Sequence, residues 1–290
     1  MSDFIILTDS SADLGADLTE RYNIQVLPLS FIVAGETYHN YPDNREMAPE
    51  VFYQKMREGV EATTSAVNVG QYTDFLEPQL RAGRDVLILS FSSALSATCS
   101  ASQIAAEELR EQYPQRKIYV VDTLCASLGQ GLLVCLAAQE RAKGRSIEEV
   151  RDFAEKKKTG ICHQFTVDDL HFLKRGGRIS STTAFVGSML QIKPVLTFAD
   201  DGQLQSIAKV RGRQQVMRKL VELTVNRCGS HKRYNLAVAN GGSPEEMETV
   251  RRLLTEALPH GEHLWDGEID GTLSVYIGDG VLGAAVQVLD

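Results

Sequence analysis

Hydroxyl side chains crowd one short stretch of this sequence, Ser90-Phe91-Ser92-Ser93-Ala94-Leu95-Ser96-Ala97-Thr98, where five of nine residues carry them. It follows the apolar run Val86-Leu87-Ile88-Leu89 and precedes a helical pattern around Ile104 to Leu109. Neutral donors at such a junction, with free backbone N–H groups and the positive end of a helix dipole, can hold an anion without a buried counter-charge. Helix capping is the other use of these residues, but a cap needs only one of them. No lysine and no glycine cradle of the nucleotide-binding type stands in the stretch. Asp9-Ser10-Ser11, Thr63-Thr64-Ser65 and Asp122-Thr123 repeat the polar theme elsewhere. The donors singled out for a ligand are Ser11, Thr64, Ser65, Ser92, Ser93, Ser96 and Thr98.

Catalysis asks for more than hydroxyls. A serine nucleophile needs a base within hydrogen-bond reach. The first half offers only His39, in an expected surface hairpin, and no GxSxG elbow. Cys125 beside a helix start is a candidate thiolate, although Leu124 and Ala126 on either side read as the setting of a buried structural thiol. Asp9 and Asp122 could ligate a metal in a phosphatase-like way, or cap helices and orient the loop hydroxyls. The expectation is a binding protein with no catalytic residue, no metal and no cofactor. The alternative is a hydrolase or phosphatase-like enzyme acting on a small anionic metabolite through Asp9 or Asp122.

The elements that position these residues alternate. Phe4-Ile5-Ile6-Leu7, Ile24 to Leu29, Val86 to Leu89 and Lys117 to Val121 read as strands. Helices are expected over Leu14–Arg21, Pro49–Arg57, Gln71–Arg81, Ala126–Lys143 and Ile147–Lys157. A hairpin is expected around Gly35, and Ala62 to Asn68 reads as a loop. Strand–helix alternation predicts a parallel sheet covered on both faces, with ligands at the carboxyl ends of its strands. The hydroxyl clusters fall at those ends.

The second half reads as a strand, Ile161 to Val167, then a short helix capped by Asp168 and ending in Lys174-Arg175-Gly176-Gly177-Arg178. Cations and glycine at a helix end are partly explained by capping. Arg178 is not, and the basic knuckle is a candidate contact for a partner or a phosphate. After a helix to Gln191 come a hairpin through Asp200-Asp201-Gly202, a helix opened by Arg211-Gly212-Arg213 and a strand from Tyr234 to Ala239. A helix begun by Ser243-Pro244 follows, then strands over Leu273–Ile277 and Ala284–Leu289. The fold class is therefore α/β with two domains: an N-terminal three-layer parallel-sheet domain, 1–158, and a C-terminal α/β domain with a mixed sheet, 159–290.

Composition narrows the partners. A chain of 290 residues with 43% hydrophobic and 23% charged residues is an ordinary globular protein. A net charge of -8 argues against nucleic acid or an anionic membrane as the main partner. The N-terminus lacks the basic region of a signal peptide and meets Asp9 early. No apolar run is long enough to span a membrane. Five scattered cysteines, without CxxC or zinc spacing, fit a reduced, cytoplasmic location.

Taken together, Asp9-Ser10-Ser11-Ala12-Asp13-Leu14, Thr64-Ser65, Ser92-Ser93-Ala94-Leu95-Ser96-Ala97-Thr98, Val121-Asp122-Thr123, Phe165 to Ser180, Ile192-Lys193-Pro194-Val195-Leu196 and Arg211-Gly212-Arg213 resemble the DegV family. The resemblance runs in order over essentially the whole chain. It implies a two-domain α/β protein that buries a long-chain fatty acid of the palmitate class between its domains. The carboxylate would meet hydroxyls corresponding to Thr64 and to Ser92 or Ser93. It also implies that a fatty acid kinase is a possible partner, taking that carboxylate to an acyl phosphate. Arg175, Arg178 and Arg211 match family arginines near the head group or on the partner-facing surface. Three positions depart from the family pattern: Ala97 stands where glycine is usual, Ala66-Val67-Asn68 replaces a longer polar segment, and Asp279 falls where a histidine is usual. An ionised Asp279 could not donate to a carboxylate. Candidates for the wall around the acyl tail are Phe165, Leu170, Phe172, Leu173, Phe185, Val186, Met189 and Leu190.

Overall fold

Two runs of aliphatic residues form the centre of the first domain. The computed structural model of the chain describes residues 4–179, 192–228, 234–258, 262–268, 273, 275 and 280–288. Strands β1 (Phe4–Asp9), β2 (Ile24–Leu27), β6 (Asp85–Ser90) and β7 (Ile118–Asp122) form a parallel sheet in the order β2-β1-β6-β7. Leu7, Val86 and Ile88 face helices α3 (Val69–Arg81) and α4 (Thr98–Gln112). Ile6, Leu87 and Leu89 face α1 (Ala16–Arg21), α5 (Ser127–Ala142) and α6 (Ile147–Lys157). This period-two division of an unbroken apolar run is what a sheet covered on both faces requires.

An excursion between β2 and α3 builds a small cap. Strands β3 (Ser30–Val33), β4 (Glu36–His39) and β5 (Ala62–Ser65) pair antiparallel in the order β4-β3-β5, with helix α2 (Pro49–Arg57) beside them. Phe31, Val33, Phe52 and Tyr53 form its core together with Val275 of the second domain. The expected loop from Ala62 is thus corrected: Ala62–Ser65 is a strand with Thr64 opposite Phe31, a place that suits β-branched threonines. Asn68 then closes a capping box with Gln71 at the start of α3.

A 3-10 turn, Lys158–Gly160, leads to the second domain. Its sheet is mixed, as expected: β8 (Ile161–Thr166), β9 (Ile192–Phe198), β10 (Leu204–Arg211), β11 (Tyr234–Gly241), β12 (Glu262–Glu268) and β13 (Val281–Val288) lie in the order β10-β9-β8-β13-β11-β12. Only β11 and β12 run parallel. Helices α8 (Arg213–Cys228) and α9 (Pro244–Ala257) cover one face. The other face packs on α5, whose residues Ser127 to Ala138 are all buried. That greasy helix is shared by both domains.

Several local readings change. The short helix after β8, α7 (Leu170–Arg175), is capped by Asp169, which accepts from the His171 N–H at 2.8 Å. Asp168 instead pairs with Lys193 at 2.7 Å and Arg213 at 3.2 Å, cations from β9 and α8 that outcompete a local cap. Ser243 makes no side-chain cap, and its N–H donates to Asn240 Oδ1. Leu273 and Val275 are helical rather than extended. Phe185, Val186, Met189, Leu190 and Asp279 lie outside the described residues. The β9–β10 hairpin forms through Asp200-Asp201-Gly202, and its tip reaches back to the first domain. Gly202 is buried with φ of +78°, and its carbonyl accepts from Ser92 Oγ at 3.0 Å.

Candidate functional site

Between the strand ends of the first domain and the sheet of the second lies a cavity of about 200 Å³. Its walls are mostly apolar and come from both domains: Phe91, Leu95 and Leu128 on one side, Phe165, Phe198 and Leu204 on the other. Five polar or charged side chains interrupt them: Thr64, Ser96, Ser127, His163 and Arg178. A second, more open recess of about 340 Å³ shares Thr64 and Arg178 with the cavity and adds Glu61, Thr63 and Arg175. The two spaces therefore meet at Thr64 and Arg178, so the apolar cavity has one polar end.

Each residue at that end is held by a different element. Thr64 is carried on β5 of the cap. Ser96 lies in the turn before α4, where its Oγ accepts the Thr98 N–H at 3.2 Å and sits 3.0 Å from Thr98 Oγ1. Arg178 is half-buried; its Nε donates to the Leu95 carbonyl at 3.1 Å and its Nη1 to the Gly176 carbonyl. That bond brings a guanidinium beside the residue preceding Ser96. Arg175 is exposed, its guanidinium carbon 5.1 Å from the Phe172 ring centroid.

The hydroxyl-rich junction divides its labour. Of its five hydroxyl residues only Ser96 lines the cavity. Ser90 Oγ donates to Asp9 Oδ2 at 3.3 Å, Ser92 holds the Gly202 carbonyl, Thr98 serves Ser96, and Ser93 is exposed with its N–H on Asp122 Oδ1. Ala97 is the residue before α4 and makes no side-chain cap, so its methyl is free to line the cavity. Ser11 is buried away from the cavity, where its Oγ meets Asp9 and donates to Gln130 Oε1 at 2.8 Å. Ser65 and Arg211 are exposed and line neither space. In place of Arg211, Arg213 is the networked arginine, bidentate on Glu246 and bonded to the Gly280 carbonyl.

The carboxylates weighed for catalysis are occupied structurally. Asp9 is fully buried and accepts from the Phe91 N–H at 2.9 Å and from Gln130 Nε2 at 3.1 Å. Burial raises its pKa above the usual carboxylate value, with its hydrogen bonds opposing. Asp122 accepts the N–H groups of Ser93 and Leu124. Among the described residues no cluster of three or more His, Cys, Asp or Glu could hold a metal ion. Burial pushes the Cys125 thiol up to about 12, which makes it a structural thiol and not a thiolate.

Two cavity residues escaped sequence reasoning. Ser127 stands at the first position of α5 with φ of +50°, and its Oγ donates to Asp13 Oδ2 at 2.5 Å. Its only signal was its place just after a strand end that carries Asp122-Thr123. His163, 4% exposed, stacks on Phe198 with ring centroids 5.1 Å apart. Burial pushes its pKa down to about 3, a hydrogen bond from the ring to the Ala126 backbone opposing, and its Nδ1 has no hydrogen-bond partner. The ring is neutral at neutral pH. A histidine within an apolar strand was the signal. Of the expected wall residues, Phe165 and Leu173 line the cavity, Leu170 lies in the core, and Phe172 is half-buried under Arg175.

A guanidinium and two hydroxyls at one end of a mostly apolar space suit an amphiphile with an anionic head. Comparisons with known proteins agree in kind. A family model described as "Uncharacterised protein, DegV family" matches residues 3–288. A DegV domain-containing protein of Clostridium perfringens is 41% identical over 266 residues, 92% of this chain and 91% of the relative. A solved DegV family protein from Thermus thermophilus, described by its fatty acid binding, is 30% identical with a TM-score of 0.89, covering 99% of this chain and 100% of that one. DegV from Bacillus subtilis, described as a fatty acid binding protein, is 26% identical with a TM-score of 0.86 over the full length of both chains. Among the described residues no helix is long and apolar enough to cross a membrane.

Proposed function

The chain belongs to the DegV family, and we propose that it is a carrier that binds a long-chain fatty acid between its domains. The tail lies along the apolar walls and the carboxylate meets Thr64, Ser96 and Arg178. The observation that carries this reading is the chemistry of the cavity, whose mostly apolar walls end in a threonine and an arginine where it meets the open recess. Buried methylenes contribute about 0.8 kcal/mol each before ordering costs. The head group supplies orientation, since hydrogen bonds to charged groups contribute about 1.5–3 kcal/mol. This reading keeps the Thr64 implied by the family resemblance but takes Ser96 in place of Ser92 or Ser93, because the Ser92 hydroxyl donates to the Gly202 carbonyl and Ser93 is exposed.

In the same reading the recess is the side from which a fatty acid kinase reaches the carboxylate to form an acyl phosphate. The exposed Arg175 and the shared Arg178 support it, since they put positive charge where an anionic phosphate donor would approach. Lipid extracted from the purified protein, followed by titration of the emptied protein with fatty acids, tests the proposal. A long-chain fatty acid should co-purify, and Thr64→Val and Arg178→Met should each weaken binding roughly 10- to 150-fold. A protein that carries no lipid and binds no added fatty acid would refute it.

A further inference from the structure

One strand of the cavity wall lacks a side chain where it faces α5. Gly283 lies on β13 directly opposite Phe165 of β8 and lines the cavity. It shares a strand face with Val281 and Ala285, which belong to the core formed with α5. A Cβ at Gly283 would lie 3.4 Å from Leu128 Cδ1 and 3.5 Å from Phe165 Cβ, both ordinary contacts. The backbone there does not need glycine, since its φ is not among the positive values of this chain. What the glycine provides is space between α5 and β8.

That space has a definite place along the cavity. Gly241, paired with Val281 at the start of β13, lies against Tyr53 of the cap, so the cap that carries Thr64 sits at the carboxyl end of β8 and distance from the polar end grows backwards along that strand. Phe165 and Gly283 come first. His163, stacked on Phe198, comes two residues or about 7 Å further on. A chain anchored at Arg178 must pass Gly283 to reach the aromatic pair. We infer that Gly283 is a specificity-determining residue whose missing side chain sets the length of acyl chain the cavity accepts. The inference rests on the fatty-acid reading above. A methyl here sits at contact distance from Leu128 and Phe165 and fills about one methylene's worth of the passage, and a larger residue fills more of it.

The test compares the delipidated full-length protein with Gly283→Ala and Gly283→Val, titrating each with decanoate, dodecanoate, tetradecanoate, hexadecanoate and octadecanoate. A buried methylene contributes about fourfold in affinity. Gly283→Ala should cost the longest acids about fourfold, and Gly283→Val on the order of tenfold to sixtyfold, while the shorter acids keep their affinity. Adding Leu128→Ala to Gly283→Val should reopen the passage and return the preference toward longer chains. If valine prevents folding, the alanine variant carries the test. A chain-length profile that superimposes on the wild type, or falls equally at every length, would overturn the inference while leaving fatty-acid binding intact. A wild-type protein that binds none of the five acids would overturn both.

Discussion

Replacing His163 with leucine should flatten the acid dependence of this protein's stability. The imidazole is buried, and its pKa falls from 6.5 to about 3 because burial disfavours the charged form. A depressed folded-state pKa means that the unfolded chain binds the proton first as pH falls. The stability from keeping the ring neutral is thus complete above about pH 6.5 and is lost progressively on the way down to about pH 3. Between about pH 7 and pH 5 the loss from this one residue is about 2 kcal/mol. Urea unfolding of the delipidated wild type and of His163→Leu at those two pH values measures it as a difference of differences. Other titrating groups, Asp9 included, are common to both proteins and cancel. The wild type should lose about 2 kcal/mol more than the variant over this interval. A double difference below about 0.5 kcal/mol would refute the claim that the buried ring is held neutral by its surroundings.

Two further outcomes follow from contacts described above. Gly202→Ala puts a methyl onto Ser92 Oγ and within 3.2 Å of Leu124 Cα, at a φ of +78°; it should cost about 1–3 kcal/mol in urea unfolding, against about 1 kcal/mol for Ser92→Ala, and equal stabilities for the two variants would count against the hairpin tip as a fitted join. Asp9→Asn sets an amide against the Phe91 N–H and Gln130 Nε2 that now donate to a carboxylate. It should lower stability by about 1–3 kcal/mol and leave fatty-acid affinity of the folded protein unchanged, whereas loss of turnover on an anionic metabolite would revive the hydrolase reading.

The fold was largely legible because its signals are local. Val86 to Leu89 announces a doubly covered strand, Gly35 and Gly202 mark hairpins, and Pro49 to Arg57 forms the helix its pattern predicts. The site was legible only in part, because partners distant in sequence decide what a hydroxyl does. Ser90 is taken by Asp9, 81 residues away, and Ser92 by Gly202, 110 residues away. Nothing within the junction distinguishes those two from Ser96, which faces the cavity. Asp168 likewise looks like a helix cap until Lys193 and Arg213 arrive beside it. Arg178 was visible as a residue that capping left unexplained, and the structure brings it to the cavity's polar end.

The order of strands in the second sheet bears on how the protein is made. β13 is the last of its six strands to be synthesised, yet it lies between β8 and β11 near the middle of the sheet. While the chain is still growing, β10-β9-β8 and β11-β12 can form only as separate pieces with open edges. The same strand delivers Val281 and Gly283 to the cavity wall. A nascent chain therefore leaves two sheet edges and the apolar face of α5 open until β13 emerges, the interval in which aggregation or chaperone capture competes with folding. A fatty acid bound as proposed can be enclosed only after that strand has docked.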